Sequence, residues 1–205
     1  MEFFIVLKNI LFILIVEYLI VEYLEYNFEH MLLLQWKEKA ELLKEEYKKT
    51  RTQYFWNKKK FVAALFFGKS NPSKVYVNLK EKYAHEIWFD FLIFGQWKNW
   101  FEWEYPDLLK YQKKEYLNKN DVIKLIKILN NDERCVWIIC QLPLTEELKP
   151  YQKEICNTIF PLKDMDWLWN KLQNWAFEWK IEFLPATAQA VISLLNAYDL
   201  WSFKW

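Results

Sequence analysis

The longest apolar run of the chain lies at its start. Residues 3 to 24 read FFIVLKNILFILIVEYLIVEYL; as a helix rising about 1.5 Å per residue this run is about 33 Å long, enough to cross a bilayer core of roughly 30 Å. Its polar members are Lys8, Asn9, Glu17 and Glu22. The deepest part is therefore expected at Ile10 to Val16. Lys8 snorkels toward one interface, and Glu17 and Glu22 approach the other or meet a protein partner, which tolerates such charges better than lipid does. No Gly or Pro occurs between Met1 and Phe67, so the helix is expected to continue beyond the span. From Trp36 onward, Trp36, Ala40, Leu43, Tyr47, Thr50 and Tyr54 recur at steps of three and four. That is a narrow stripe requiring a partner helix. Around it lie Lys and Glu residues, including the helically spaced pairs Glu41–Glu45 and Glu45–Lys49, the second favourable and the first not. Phe61 to Phe67 followed by Gly68 reads as the helix end, with Gly68 at the C-cap.

After the loop 68–73, Val75-Tyr76-Val77 reads as a short extended piece. Residues 80–105 then present Trp88, Trp97, Trp100 and Trp103 among Ile87, Phe91, Leu92 and Phe101, interrupted by Asp90, Gly95, Lys98 and Glu102. This is too charged for a bilayer span and suits a helix lying in the interface or buried among subunits. Pro106-Asp107 opens a helix to about Leu117. Asn120 or Asp121 caps Val122 to Leu129, with Val122, Leu125, Ile126 and Leu129 on one face. Cys135 to Leu142 is a short buried segment of either type. Thr145 caps a helix to Ile159, Asp164 or Asp166 begins a Trp-rich helix through Phe183 that includes Trp167 and Trp169, and Pro185 opens a last helix. The expected fold is mainly α: one N-terminal transmembrane helix (1–28) continuing into a long amphipathic helix (29–67), then an aromatic-rich helical body (75–205).

Composition reinforces that picture. Hydrophobic residues make up 53% of the chain and aromatic residues 20%, with 13 Trp. So many rings exceed the needs of one core, so some are expected against lipid headgroups or neighbouring subunits. Only two Gly occur, which leaves few tight turns and favours helix on helix. Lys and Arg number 28 against 27 Asp and Glu, so no field draws the chain to nucleic acid. Cys135, Cys140 and Cys156 form no Cys-x-x-Cys pair and read as buried free thiols. The start Met-Glu, with no Ala-x-Ala-like site after the apolar run, implies a retained segment.

Candidate chemistry is sparse. Gly68-Lys69-Ser70 has the tail of a phosphate-binding loop, but residue 63 is Ala where the first glycine belongs, so nucleotide binding is discarded. His85 and Glu86 are adjacent and face different ways, and His30 has only Tyr26 and Leu34 at helical spacing, so no metal site is expected. There is no His-Glu-x-x-His and no nucleophile elbow. The chain is expected not to be an enzyme, and no catalytic residue, cofactor or metal is assigned.

Abundant Trp, Phe, Tyr, Leu and Lys, with only Arg51 and Arg134 as arginines, resembles the divergent proteins encoded in ciliate mitochondrial genomes, which read UGA as tryptophan. The resemblance implies a non-catalytic structural or assembly subunit of an inner-membrane energy-converting complex, of the respiratory chain or the ATP synthase. Its partners would be membrane lipids and other subunits. The excess of Lys and Arg after the anchor places the body on the side of synthesis, the matrix. Expected contact residues are Lys8, Glu17, Glu22, Trp36, Tyr47, Trp88, Trp97, Trp100, Trp103, Trp167 and Trp169. Two alternatives are a divergent mitochondrial ribosomal protein, disfavoured by the near-neutral charge, and a small membrane-bound enzyme or lipid-binding protein.

Overall fold

The computed structural model describes residues 37–55, 58–68, 70–95, 105–112 and 118–166. They form α1 (Lys37–Phe55), β1 (Phe61–Phe66), α2 (Asn71–Glu86), β2 (Asp90–Gly95), α3 (Lys119–Asn131), β3 (Cys135–Cys140) and the short α4 (Gln152–Thr158). Two 3-10 turns, Pro106–Tyr111 and Lys149–Tyr151, join them. The strands lie in the order β2-β1-β3, and both pairings are parallel. Phe61 to Phe66 run beside Asp90 to Gly95 in unbroken register. Against β3 the register slips by one residue between Phe61 and Val62. The outer side of β3 is extended by an isolated parallel bridge from Ile138 to Asp164.

The described residues are therefore α/β, not mainly α. Phe61–Phe66, expected to close a helix before a Gly68 cap, is the central strand. Val75-Tyr76-Val77, expected to be extended, lies inside α2. The physical reason is the burial of the strands: FVAALF and CVWIIC are buried at every position, and DFLIFG at every position but the first. A parallel strand covered on both faces shows an unbroken apolar run instead of period-two alternation. Such a run, read alone, is indistinguishable from a turn or two of buried helix. The proposed transmembrane segment lies outside the described residues; among those described, no helix is long and apolar enough to cross a membrane.

Alternation along β1 sends successive side chains to opposite faces. Val62, Ala64 and Phe66 pack with Phe91, Ile93 and Ile139 against Val77, Tyr83 and Ala84 of α2 and Tyr47 of α1. Phe61, Ala63 and Leu65 pack with Leu92, Phe94 and Ile138 against α3 and α4. Here the expected face of Val122, Leu125, Ile126 and Leu129 is fully buried, although the cap is Asn118, whose side chain accepts from the Asn120 N–H at 2.8 Å. On α1 the inward residues are Lys44, Tyr47 and Arg51, while Tyr54 of the expected stripe is 56% exposed. The Arg51 guanidinium donates to the carbonyls of Phe55 and Lys58 at 2.7 and 2.9 Å and lies 5.3 Å from the centre of the Phe89 ring. Lys44 reaches Glu86 of α2 at 2.9 Å.

Gly95 closes β2 at φ +122°, and a Cβ there would overlap the Phe66 carbonyl of β1. Gly95→Ala is expected to cost about 2 kcal/mol of stability, measured by urea unfolding; an unchanged midpoint would contradict the close approach of β2 to β1. A second prediction concerns Arg134, which hydrogen-bonds Asp107 and Asp132. That hydrogen bond holds Asp107 below its ordinary 3.8. For Asp132, burial opposes the charge, but the hydrogen bonds and charge of Arg134 outweigh it and also lower the pKa. Carboxyls depressed in the folded state contribute stability above their unfolded pKa and lose it as pH falls through the folded values. Arg134→Gln should therefore lower the urea midpoint at pH 7, and the gap from wild type should close as pH drops below about 3.8. A gap constant with pH would assign the loss to packing alone.

Candidate active site

In an open parallel sheet, ligands bind beyond the carboxyl ends of the strands, where successive connections leave on opposite faces. Here α2 covers one face and α3 the other, so a ligand is expected beyond the end of β1. The rim there is made by the turn after β1, the first turns of α2, and the chain that follows β3.

α2 starts where it does because Ser70 is extended and Pro72 occupies the first helical turn, a position that needs no N–H donor. From there Ser73, Tyr76 and Lys80 recur at steps of three and four and share one side of the helix. Lys80 is only 4% exposed. A buried ammonium is tolerated when paired, and both carboxylate oxygens of Asp166 lie 3.1 Å from its Nζ. Asp166 is brought there by the segment beside β3: the Ile138 N–H donates to the Lys163 carbonyl at 2.7 Å, and the Met165 N–H to the Ile138 carbonyl at 3.2 Å.

The chain leaving β3 supplies the other wall. The Gln141 N–H donates to the Leu65 carbonyl at 3.0 Å, carrying the ladder one residue past the strand. A cis peptide follows between Leu142 and Pro143. Ser73 Oγ donates to the Leu142 carbonyl at 2.9 Å, and a Cβ at Gly68 would overlap the Pro143 carbonyl. These two contacts hold the start of α2 against the chain after β3. Gln141 donates through Nε2 to the Leu142 carbonyl at 3.0 Å, while its buried Oε1 has no hydrogen-bond partner among the described residues. The rim thus gathers a paired amine, a phenol one turn away, an amide oxygen left open and a carboxylate. That set can donate and accept protons and orient a polar heterocycle.

Cys135 and Cys140 do not add a nucleophile. Burial pushes the Cys135 thiol up to about 12, and the hydrogen bond that the Cys140 thiol donates to Cys156, together with burial, raises that of Cys140. Thiolates at neutral pH are disfavoured at both. Among the described residues no group of His, Cys, Asp and Glu is placed to hold a metal ion.

Of the contact residues expected from sequence, Tyr47 is buried between α1 and the sheet, and Trp88 is 56% exposed just past α2, at φ +64°. Neither joins the rim. Lys8, Glu17, Glu22, Trp36, Trp97, Trp100, Trp103, Trp167 and Trp169 lie outside the described residues. Sequence reasoning missed Ser73, Tyr76, Lys80, Gln141 and Asp166. The available signal was Asn71-Pro72 as a helix start, which puts Tyr76 and Lys80 on one face.

No protein-family model matches the sequence. The chain is 30% identical over 139 residues to the bifunctional protein FolD of Clostridium beijerinckii, covering 68% of this chain and 43% of that protein. It is 30% identical over 166 residues to the bifunctional protein FolD of Clostridium botulinum, covering 80% and 52%. Among solved structures, it resembles the bifunctional enzyme FolD, methylenetetrahydrofolate dehydrogenase/cyclohydrolase, of Campylobacter jejuni. That likeness has a TM-score of 0.64 and 27% identity, over 83% of this chain and 55% of that one. A 5,10-methylenetetrahydrofolate dehydrogenase of the silkworm has the same TM-score at 20% identity, which shows the fold. The chain spans about half the length of the curated relatives it matches.

These likenesses overturn the resemblance to ciliate mitochondrion-encoded proteins. They also overturn what it implied: a non-catalytic subunit of a respiratory or ATP synthase complex, partners among membrane lipids and other subunits, and a place in the mitochondrial inner membrane. The ribosomal alternative falls with it. The resemblance rested on composition, which reports which residues are abundant and not which are brought together. The similar proteins are enzymes, and the similarity extends through the α/β fold.

Because Lys80 is buried, removing its partner should be costly. Asp166→Asn is expected to destabilise the chain by about 3 kcal/mol, and Lys80→Met/Asp166→Asn by less than the sum of the single changes. Additive urea midpoints would contradict a coupled pair.

Proposed function

We propose that this rim binds a reduced folate and acts on the carbon it carries between two nitrogens, the chemistry named for the Campylobacter jejuni enzyme, with Lys80 as proton donor and acceptor. The observation that carries the reading is the buried Lys80–Asp166 pair on a strand-end rim, in a chain similar to FolD proteins over two thirds of its length or more. A methylene bridge that loses a hydride leaves a carbon whose positive charge is shared by both nitrogens, and water opens it to a formyl group. An isolated ammonium would repel that cation. Asp166, 3.1 Å from Lys80 Nζ, offsets the charge, so that the amine can approach the bridge and pass a proton. Tyr76 offers a ring face and a hydroxyl one turn away. The open Oε1 of Gln141 suits an N–H of the folate heterocycle.

A hydride acceptor of the nicotinamide dinucleotide class is the group a dehydrogenase of this kind implies. Its pyrophosphate is held by a glycine-rich turn that opens a helix. The chain has two glycines, Gly68 and Gly95, and each is pressed against a backbone carbonyl, of Pro143 and of Phe66. These residues do not fit the group, and no step is routed through it.

The test is a titration of the purified chain with tetrahydrofolate, followed by quenching of its tryptophan fluorescence. Saturable one-site binding is expected, weakened about tenfold in Gln141→Leu by the loss of one hydrogen bond. Absence of saturable binding would overturn the proposal.

A further inference from the structure

We infer that Lys163 and Asn130 are positioning residues for Asp166: they tie the segment 158–166 to the last turn of α3, and so fix the register in which it meets β3 and the place where the carboxylate stands. The inference rests on the reading of the rim given above. Among the described residues that segment is joined to β3 by one isolated bridge, Ile138 to Asp164. Two hydrogen bonds make the bridge: the Ile138 N–H donates to the Lys163 carbonyl at 2.7 Å, and the Met165 N–H to the Ile138 carbonyl at 3.2 Å. So short a pairing does not set its own register. A slip of one residue would carry Asp166 along by about 3.3 Å and turn its side chain to the opposite side. Lys80 would then be buried without its partner.

Two side chains oppose the slip. Asn130, 6% exposed, uses both ends of its amide: Nδ2 donates to the Thr158 carbonyl at 2.8 Å, and Oδ1 accepts from the Phe160 N–H at 3.0 Å. Lys163 Nζ donates to the carbonyls of Leu129 and Asp132 at 3.0 and 2.8 Å. The last turn of α3 has no basic residue of its own, so the Lys163 ammonium meets the negative end of that helix and its open carbonyls. Its main-chain carbonyl is the one that Ile138 holds. Lys163 thus joins α3 to β3 within a single residue, three positions before Asp166. The join lies where α3 turns into β3, with the Cys135 N–H on the Asp132 carbonyl at 3.1 Å, at the end of the sheet away from the rim. A ligand on the rim is out of reach of either side chain, and both act through Asp166.

The test uses the full 205-residue chain, with urea unfolding and the turnover of 5,10-methenyltetrahydrofolate, the cation left after hydride loss. Asp166→Asn is expected to shift the urea midpoint less than half as far in a Lys163→Met background as in the wild type, because there the carboxylate is already displaced. Additive midpoints would overturn the inference whatever ligand the rim takes. In turnover, Lys163→Met is expected to lower kcat about tenfold with KM within about twofold. Lys163→Arg, which keeps the charge and the donors, should restore most of kcat, and Lys163→Met/Asp166→Asn should be no slower than Asp166→Asn. Lys163→Gln, still able to donate to one carbonyl, replaces Lys163→Met if the latter does not fold, with a smaller effect of the same kind. Wild-type kcat in Lys163→Met, or a double variant slower than Asp166→Asn by the full tenfold, would overturn the inference while leaving the folate reading intact. A wild-type chain that neither binds tetrahydrofolate nor turns over the methenyl compound would overturn the folate reading, and non-additive midpoints would still support the positioning role.

Discussion

A lysine with almost no exposure to water must keep a carboxylate beside it, and the Lys80–Asp166 pair meets that demand across two elements far apart in sequence. Lys80 stands on the helix that follows β1, and Asp166 on the segment that pairs beside β3. The pair therefore requires the sheet to be assembled with β1 in the middle and β3 next to it. Coulomb attraction in a partly desolvated site gives the pair its strength, and the desolvation cost of an unpaired ammonium gives it its specificity.

The sheet makes this arrangement possible because its central strand is buried on both sides. Phe61, Ala63 and Leu65 look toward α3 and α4, and Val62, Ala64 and Phe66 toward α1 and α2. The apolar surface so removed from water is the main favourable term in holding the layers. Polar contacts then fix details that burial leaves open. Ser73 on the Leu142 carbonyl and Gly68 against Pro143 set how near α2 comes to the chain leaving β3. That spacing places an amine, an amide and a carboxylate on one rim.

Some of this was legible in the sequence. The face Val122, Leu125, Ile126 and Leu129 on α3 has a helical period, and all four are fully buried. The strands were not legible as strands, because FVAALF and CVWIIC lack the alternation that exposes a period of two. The site was invisible for a different reason. Tyr76 and Lys80 read as ordinary polar positions until α2 is known to be a helix, and Gln141 and Asp166 join them only through the parallel pairing of β1 with β3. The abundance of tryptophan pointed toward membranes, yet Trp137, the largest side chain in the described core, packs 5.5 Å from the Phe89 ring. An aromatic-rich composition does not distinguish a lipid-facing surface from a filled interior.

The rim beyond β1 and β3 is proposed as a folate site organised around Lys80. The most direct measurement is a crystal structure of the chain with tetrahydrofolate bound. The ligand is expected between the first turns of α2 and the chain after β3, with a ring nitrogen within hydrogen-bond reach of Lys80 Nζ and an N–H on Gln141 Oε1. A ligand bound away from this rim, with the Lys80–Asp166 pair and the Gln141 amide untouched, would contradict it.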